Sequence, residues 1–161
     1  MDKKLRDAVN DQINKEFYSA YLYLSMAAYC DSIRLTGFSH WLKVQFDEEW
    51  AHGMKLYDFL VNRGERVVLK AIDPPPVKFT SPLKLFEMVY KHEQKVTGLI
   101  RRLCGVSNKA GDRSASAFLQ WFVKEQVEEE ENASGIVAAL KKKPGPDVTA
   151  AVDRQLAKRK G

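Results

Sequence analysis

The sequence predicts an all-α chain: a four-helix bundle with one long crossover, followed by a short fifth helix. Three observations predict it. Four long stretches repeat an apolar residue every third or fourth position, the spacing of one helix face. The 9 Gly and 6 Pro are too few for the many turns of a β-sandwich, and the prolines gather between the stretches. The three connections run short, long, short, which suits a bundle with a single crossover. At 161 residues the chain reads as one domain, able to bury a core without disulfides or a zinc staple.

The first stretch, about Asp2 to Cys30, carries Leu5, Val9, Ile13, Phe17, Ala20, Leu24 and Ala27 on its stripe. A break at Asp31–Thr36 leads through Gly37 into the second, Phe38 to about Arg63, with Phe38, Leu42, Leu56, Phe59 and Leu60. Gly64 stands where a C-terminal cap glycine belongs. Glu65–Ser81 contains Pro74, Pro75 and Pro76, through which helix cannot continue. This connection is long enough to run the length of a bundle. Ser81-Pro82 then reads as an N-cap with proline at the first helical position. The third stretch, about Pro82 to Cys104, aligns Phe86, Val89, Tyr90, Val96, Ile100 and Leu103. The fourth, about Asp112 to Lys142, aligns Ala115, Phe118, Leu119, Phe122, Ala133, Ile136 and Leu140. Lys141–Lys143 suit the negative end of its dipole. After Pro144-Gly145-Pro146, residues 147–160 form a weakly amphipathic helix through Val148, Val152 and Leu156, too short to be stable alone.

The net charge of +5 is a C-terminal property. Residues 140–161 hold seven basic and two acidic side chains, which leaves the remainder balanced at 19 of each. This weakens the case for a nucleic-acid-binding fold. No run approaches the roughly 20 apolar residues that span a bilayer. The N-terminus lacks an apolar leader core. Cys30 and Cys104 form neither a metal-binding pair nor a disulfide framework. A soluble, cytoplasmic protein without membrane contact is expected.

Several ionisable residues interrupt the apolar stripes: Glu16 in the first helix, Glu49 and His52 in the second, Glu93 in the third, Gln126 and Glu129 in the fourth. Each helix thus aims at least one acid inward. Burying unpaired carboxylates costs several kcal/mol per ion, and a bound cation relieves that cost. Glu16 to Glu49 is 33 residues and His52 follows three later; Glu93 to Gln126 is again 33 and Glu129 follows three later. Residues three apart share a helix face. A pseudo-twofold arrangement of the two halves would bring both sets together at mid-height, as in carboxylate-bridged di-metal bundles. Oxygen-rich ligands with one imidazole suit iron or manganese. A purely structural polar network is the competing reading, but it needs inward bases, and these stripes hold one histidine for four acids. His40 and His92 fall off the stripes and read as surface residues; Met26 and Met54 read as packing.

On these residues the chain resembles the ferritin family, specifically the prokaryotic non-haem ferritins. The match is carried by Glu16-Phe17-Tyr18-Ser19, Tyr23, Glu48-Glu49-Trp50-Ala51-His52, Tyr90-Lys91-His92-Glu93-Gln94 and the run Phe118 to Glu130, and it extends over nearly the whole chain. The resemblance implies a hollow shell of 24 subunits that oxidises Fe(II) with oxygen or peroxide and stores it as ferric mineral. It assigns one iron to Glu16, Glu49 and His52, and a second to Glu49, Glu93 and Glu129, with Gln126 nearby. It places Tyr23 beside the centre, and a third iron at Glu48, Glu125 and Glu128 with Glu129 shared. Tyr23 also reads as a core tyrosine with a satisfied hydroxyl. Glu125 and Glu128–Glu131 also read as a solvated acidic face.

The chain departs from the family pattern in places. The second half-site reads Gln126-x-x-Glu129 rather than Glu-x-x-His. Trp50 occupies the position where related bacterioferritins carry a haem-binding methionine, so haem is not expected. Ser116 and Leu119 stand where animal members line their pores with acids, and the basic tail contrasts with the usually acidic shells. Two other readings compete. A rubrerythrin-like di-iron peroxidase usually adds a four-cysteine iron domain, which this chain lacks. A DNA-protecting mini-ferritin builds its iron site between subunits, whereas here all four helices supply ligands.

Overall fold

The computed structural model describes residues 1–161 as five helices: α1 (Lys3–Ser32), α2 (Thr36–Asn62), α3 (Pro82–Lys109), α4 (Arg113–Lys142) and α5 (Pro146–Leu156). Helix starts follow local chemistry. Asp2 Oδ1 accepts from the amides of Lys4 and Leu5 at 3.0 and 3.1 Å. Ser81 Oγ accepts from Lys84 at 3.2 Å, with Pro82 opening α3. Asp112 accepts from Ala115 at 2.9 Å and pairs with Arg63 at 2.8 Å, which ties the start of α4 to the end of α2. Each cap satisfies amides that have no partner within the helix. Gly64 ends α2 at φ +73°, a conformation that glycine adopts without steric cost.

α1 pairs with α2 and α3 with α4, while α1 also packs on α3. The crossover runs alongside α1 in the same direction. The Val68 amide donates to Asn10 Oδ1 at 2.8 Å, Asn14 donates to the Ala71 carbonyl at 3.0 Å, and Ser25 donates to the Pro76 carbonyl at 2.7 Å. The Tyr29 and Phe79 rings meet with centroids 5.4 Å apart. The linker thus returns the chain to the far end of the bundle before α3 begins. No helix is long and apolar enough to cross a membrane.

The core is divided. One apolar cluster joins Leu22–Cys30 of α1 with Phe38, Trp41, Leu42, Leu85, Phe86, Val89, Ala133, Val137, Leu140 and two residues of α5. The other joins Leu5–Phe17 with Leu56, Leu60, Val96, Ile100, Leu103, Ala115, Leu119 and Phe122. Between them lies a buried polar layer drawn from all four long helices. Burial of large apolar side chains above and below, at about 1.5–3 kcal/mol each, supplies the stability that lets the layer stay polar.

Some boundaries and faces differ from the sequence expectation. α3 continues past Gly105 to Lys109. A helical glycine costs only about 1 kcal/mol against alanine, and the buried Ser107 anchors the last turn through Ser116 Oγ at 2.8 Å. Gly37 lies inside α2. α5 stops at Leu156 rather than at residue 160. Leu24 is 37% exposed, and the fourth-helix stripe buries Val137 more fully than Ile136.

Candidate metal centre

The polar layer contains Glu16, Glu49, Glu93 and Glu129, each at most 4% exposed, together with His52 and Gln126. No lysine or arginine is among the buried residues. Ligand atoms of Glu16, Glu49 and His52 lie within 4.8 Å of one another, as do those of His52, Glu125 and Glu129. The i, i+3 step from Glu49 to His52 puts both side chains on one face of α2, with Glu16 facing them from α1.

The contact between Glu49 and His52 is the most informative in the layer. His52 Nδ1 is 3.3 Å from Glu49 Oε2, yet that oxygen is fully buried and accepts no hydrogen bond. A buried carboxylate oxygen without a donor is rare and costly. With Glu16 beside them, these two groups make a candidate cation site.

The other acids are held by neutral donors. Gln12 Nε2 donates to Glu16 at 2.7 Å. Gln45 Nε2 donates to Glu129 at 2.7 Å and to Glu49 at 3.3 Å. Glu93 accepts from the Tyr23 hydroxyl and from Gln126 Nε2 at 3.2 Å. Burial, reinforced by the facing Glu49, pushes the Glu16 carboxyl up to about 8. Burial with the charge of Glu93 takes Glu129 to about 8. Burial takes Glu93 to about 7 despite its two donors. Glu49 is raised well above the carboxylate range by burial and then by Glu93 and Glu129. Burial, then Glu93, raises the Tyr23 phenol well above its ordinary value. Without a cation these acids hold protons near neutrality, and a metal would displace them.

A family model described as Ferritin-like domain matches residues 6–143. The chain belongs to the ferritin family. Ferritins store iron, and iron storage is the function of this ferritin. It is 39% identical over 142 residues to a bacterial non-heme ferritin of Bacteroides fragilis, covering 88% of this chain and 89% of that one. It is 43% identical over 130 residues to a bacterial non-heme ferritin of Staphylococcus saprophyticus, covering 81% and 78%. The crystal structure of an open pore ferritin from the hyperthermophilic archaeon Archaeoglobus fulgidus superposes with a TM-score of 0.97 at 46% identity, covering 99% of each chain.

Within this ferritin the expected ligand sets differ in compactness. Glu16, Glu49 and His52 converge. The second set is less direct, because Gln45 stands between Glu49 and Glu129 while Glu93 is engaged by Tyr23 and Gln126. Of the third set, Glu125 is half-buried with its Oε1 3.9 Å from His52 Nε2, Glu48 pairs with Arg159, and Glu128 is exposed. His92 is half-buried rather than exposed: Nε2 lies 2.8 Å from Ser19 Oγ, its ring meets Tyr23 edge-on at 5.9 Å, and burial lowers it to about 4. His40 is exposed as expected.

Sequence reading missed the supporting residues Gln12, Ser19, Gln45 and Thr97, the last accepting from Gln126 Nε2 at 3.3 Å. Gln12 and Gln45 had a usable signal: each lies four residues before an inward glutamate, hence one turn away on the same face. Arg159 had none, since its partners Gln45 and Glu48 are more than 100 residues distant.

Proposed function

We propose that this ferritin subunit is a ferroxidase. The substrate is Fe(II), and the polar layer holds two ions per subunit before they pass to a ferric mineral. The carrying observation is the donor-less Glu49 Oε2 facing His52 Nδ1 beside Glu16. Glu16, Glu49 and His52 form the first site. Glu49 bridges to a second made by Glu93 and Glu129, with Gln126 adjacent. Glu48, Glu125 and Glu128, sharing Glu129, are the candidate third site. An oxygen-rich set with one imidazole fits iron.

The chemistry balances within the layer. Two Fe(II) ions each give up one electron. O2 accepts the two electrons and two protons to become hydrogen peroxide; hydrogen peroxide accepts them to become water. Glu16, Glu93 and Glu129, protonated near neutrality, release protons as metal binds. Tyr23 holds Glu93 through its hydroxyl and orients that ligand. Storage needs a closed container, which one bundle cannot provide, so a symmetric shell of 24 copies is part of this reading. The relatives support it, as does the supply of ligands by all four helices of one chain, which disfavours the mini-ferritin and rubrerythrin-like alternatives. Two free cysteines suit the cytoplasm.

Stopped-flow absorption after mixing Fe(II) with oxygen tests the reading. The wild type should show a fast visible transient from an oxidised iron pair, then slow mineral growth. Glu49→Ala should abolish the transient while circular dichroism stays helical, because Glu49 serves both ions. An unchanged transient in that variant would rule out this centre.

A further inference from the structure

Arg159 lies beyond α5, in the C-terminal segment, yet its guanidinium ends against the metal layer. Its side chain is 16% exposed. Nη1 donates to Gln45 Oε1 at 2.9 Å and to the Trp41 carbonyl at 3.3 Å, and Nη2 donates to Glu48 Oε2. The guanidinium covers the Trp41 ring at 4.3 Å, and His40 Nε2 contacts the Arg159 carbonyl at 2.7 Å. Side chain and main chain are therefore both anchored to α2.

Two consequences follow from the chemistry of arginine. A guanidinium only donates, so Gln45 must turn its oxygen towards Arg159 and its NH2 towards Glu49 and Glu129, as observed. The same group also neutralises Glu48, one of the acids of the candidate third iron site. A guanidinium and a divalent ion compete for that carboxylate.

We propose that Arg159 is a positioning residue for the metal layer: it fixes Gln45 against Glu49 and Glu129, and it occupies Glu48 until a third Fe(II) displaces it. This rests on reading the layer as an iron centre. Arg159 makes the third site conditional on release of its own side chain from Glu48, so that two ions bind readily and a third only against an internal cation.

Anaerobic calorimetric titration of the assembled full chain with Fe(II) tests this, comparing wild type, Arg159→Gln and Arg159→Lys. Arg159→Gln should bind its third ion about tenfold tighter, the order set by one charge-assisted hydrogen bond. Arg159→Lys keeps a cation within reach of Glu48 and should restore weak third-ion binding. Adding Glu48→Gln to Arg159→Gln should remove the gain. Unchanged third-ion affinity in Arg159→Gln overturns the proposal. Should that variant fail to assemble, wild-type crystals soaked with excess Fe(II) decide: Arg159 must leave Glu48 when the third ion arrives, and iron on Glu48 with the pair intact overturns the idea. A wild type that takes up no ion at Glu16, Glu49 and His52 overturns the parent reading as well, and is distinguished by loss of the first two binding steps.

Discussion

At the residue scale, the layer stores an electrostatic cost that a bound metal would relieve. Glu16, Glu93 and Glu129 hold their protons up to about pH 7 or 8 when folded and metal-free, but only to about 4.5 when unfolded. The folded state binds more protons in that window, so stability must fall as pH rises from about 5 to 8. Urea midpoints of the metal-free protein should show that decline, and a saturating divalent metal should flatten it. A metal-free midpoint rising over the same range contradicts the assigned burial. The candidate ligands were legible because a charged residue on an apolar stripe is an anomaly, and because the spacing of 33 repeats. What the stripes could not show is which donor each acid receives. Gln126 is a carboxylate's donor in this structure, reaching Glu93 Oε2 and the Glu93 carbonyl at 3.2 and 3.3 Å. His92 was misread for a related reason. One residue before Glu93 it leaves the main stripe, but it faces α1, where Ser19 and Tyr23 cover it.

At the scale of elements, α5 is held by Val152 and Leu156 in the apolar core and by one close backbone approach. A Cβ at Gly37 would sit 1.7 Å from the Asp153 carbonyl oxygen, and Asp153 Oδ1 accepts from the adjacent Phe38 amide at 3.0 Å. Glycine at 37 therefore admits the backbone of α5 to the start of α2. Gly37→Ala should displace α5, cost about 1–3 kcal/mol as overpacked sites do, and speed tryptic cleavage after the exposed Arg154 and Lys158 by loosening the backbone there. Equal proteolysis and stability in wild type and variant would contradict this docking. The helices and their order were readable from periodicity, caps and prolines. The ends were less so. Periodicity ends the third stretch near Cys104, whereas α3 runs to Lys109 with Ser107 packed in its last turn, and Gly37, which follows the break at Asp31–Thr36, lies inside α2 as a contact between elements. Leu24 fits the helix period but points away from the bundle of its own chain, because period alone does not say how wide a buried face is.

At the scale of the whole molecule, two apolar cores clamp one polar layer, and the two halves of the chain supply that layer unequally. The first half offers Glu16, Glu49 and His52 in convergence. The second offers Glu93 and Glu129, with the amide Gln126 in place of a third anion and Glu129 where symmetry would place a second histidine. On the proposed reading, fewer strong ligands should make the second site the weaker one, as passing oxidised iron onward would require. Of the seven basic residues in the tail, Arg159 reaches this layer, and the other six are exposed. The most direct measurement is anomalous diffraction at the iron edge from crystals of the assembled protein, loaded anaerobically with increasing Fe(II). The account predicts a first peak among Glu16, Glu49 and His52 in every subunit at substoichiometric iron, and a second between Glu49, Glu93 and Glu129 only as loading rises. Equal occupancy of both positions throughout, or iron that never enters the layer, would contradict it.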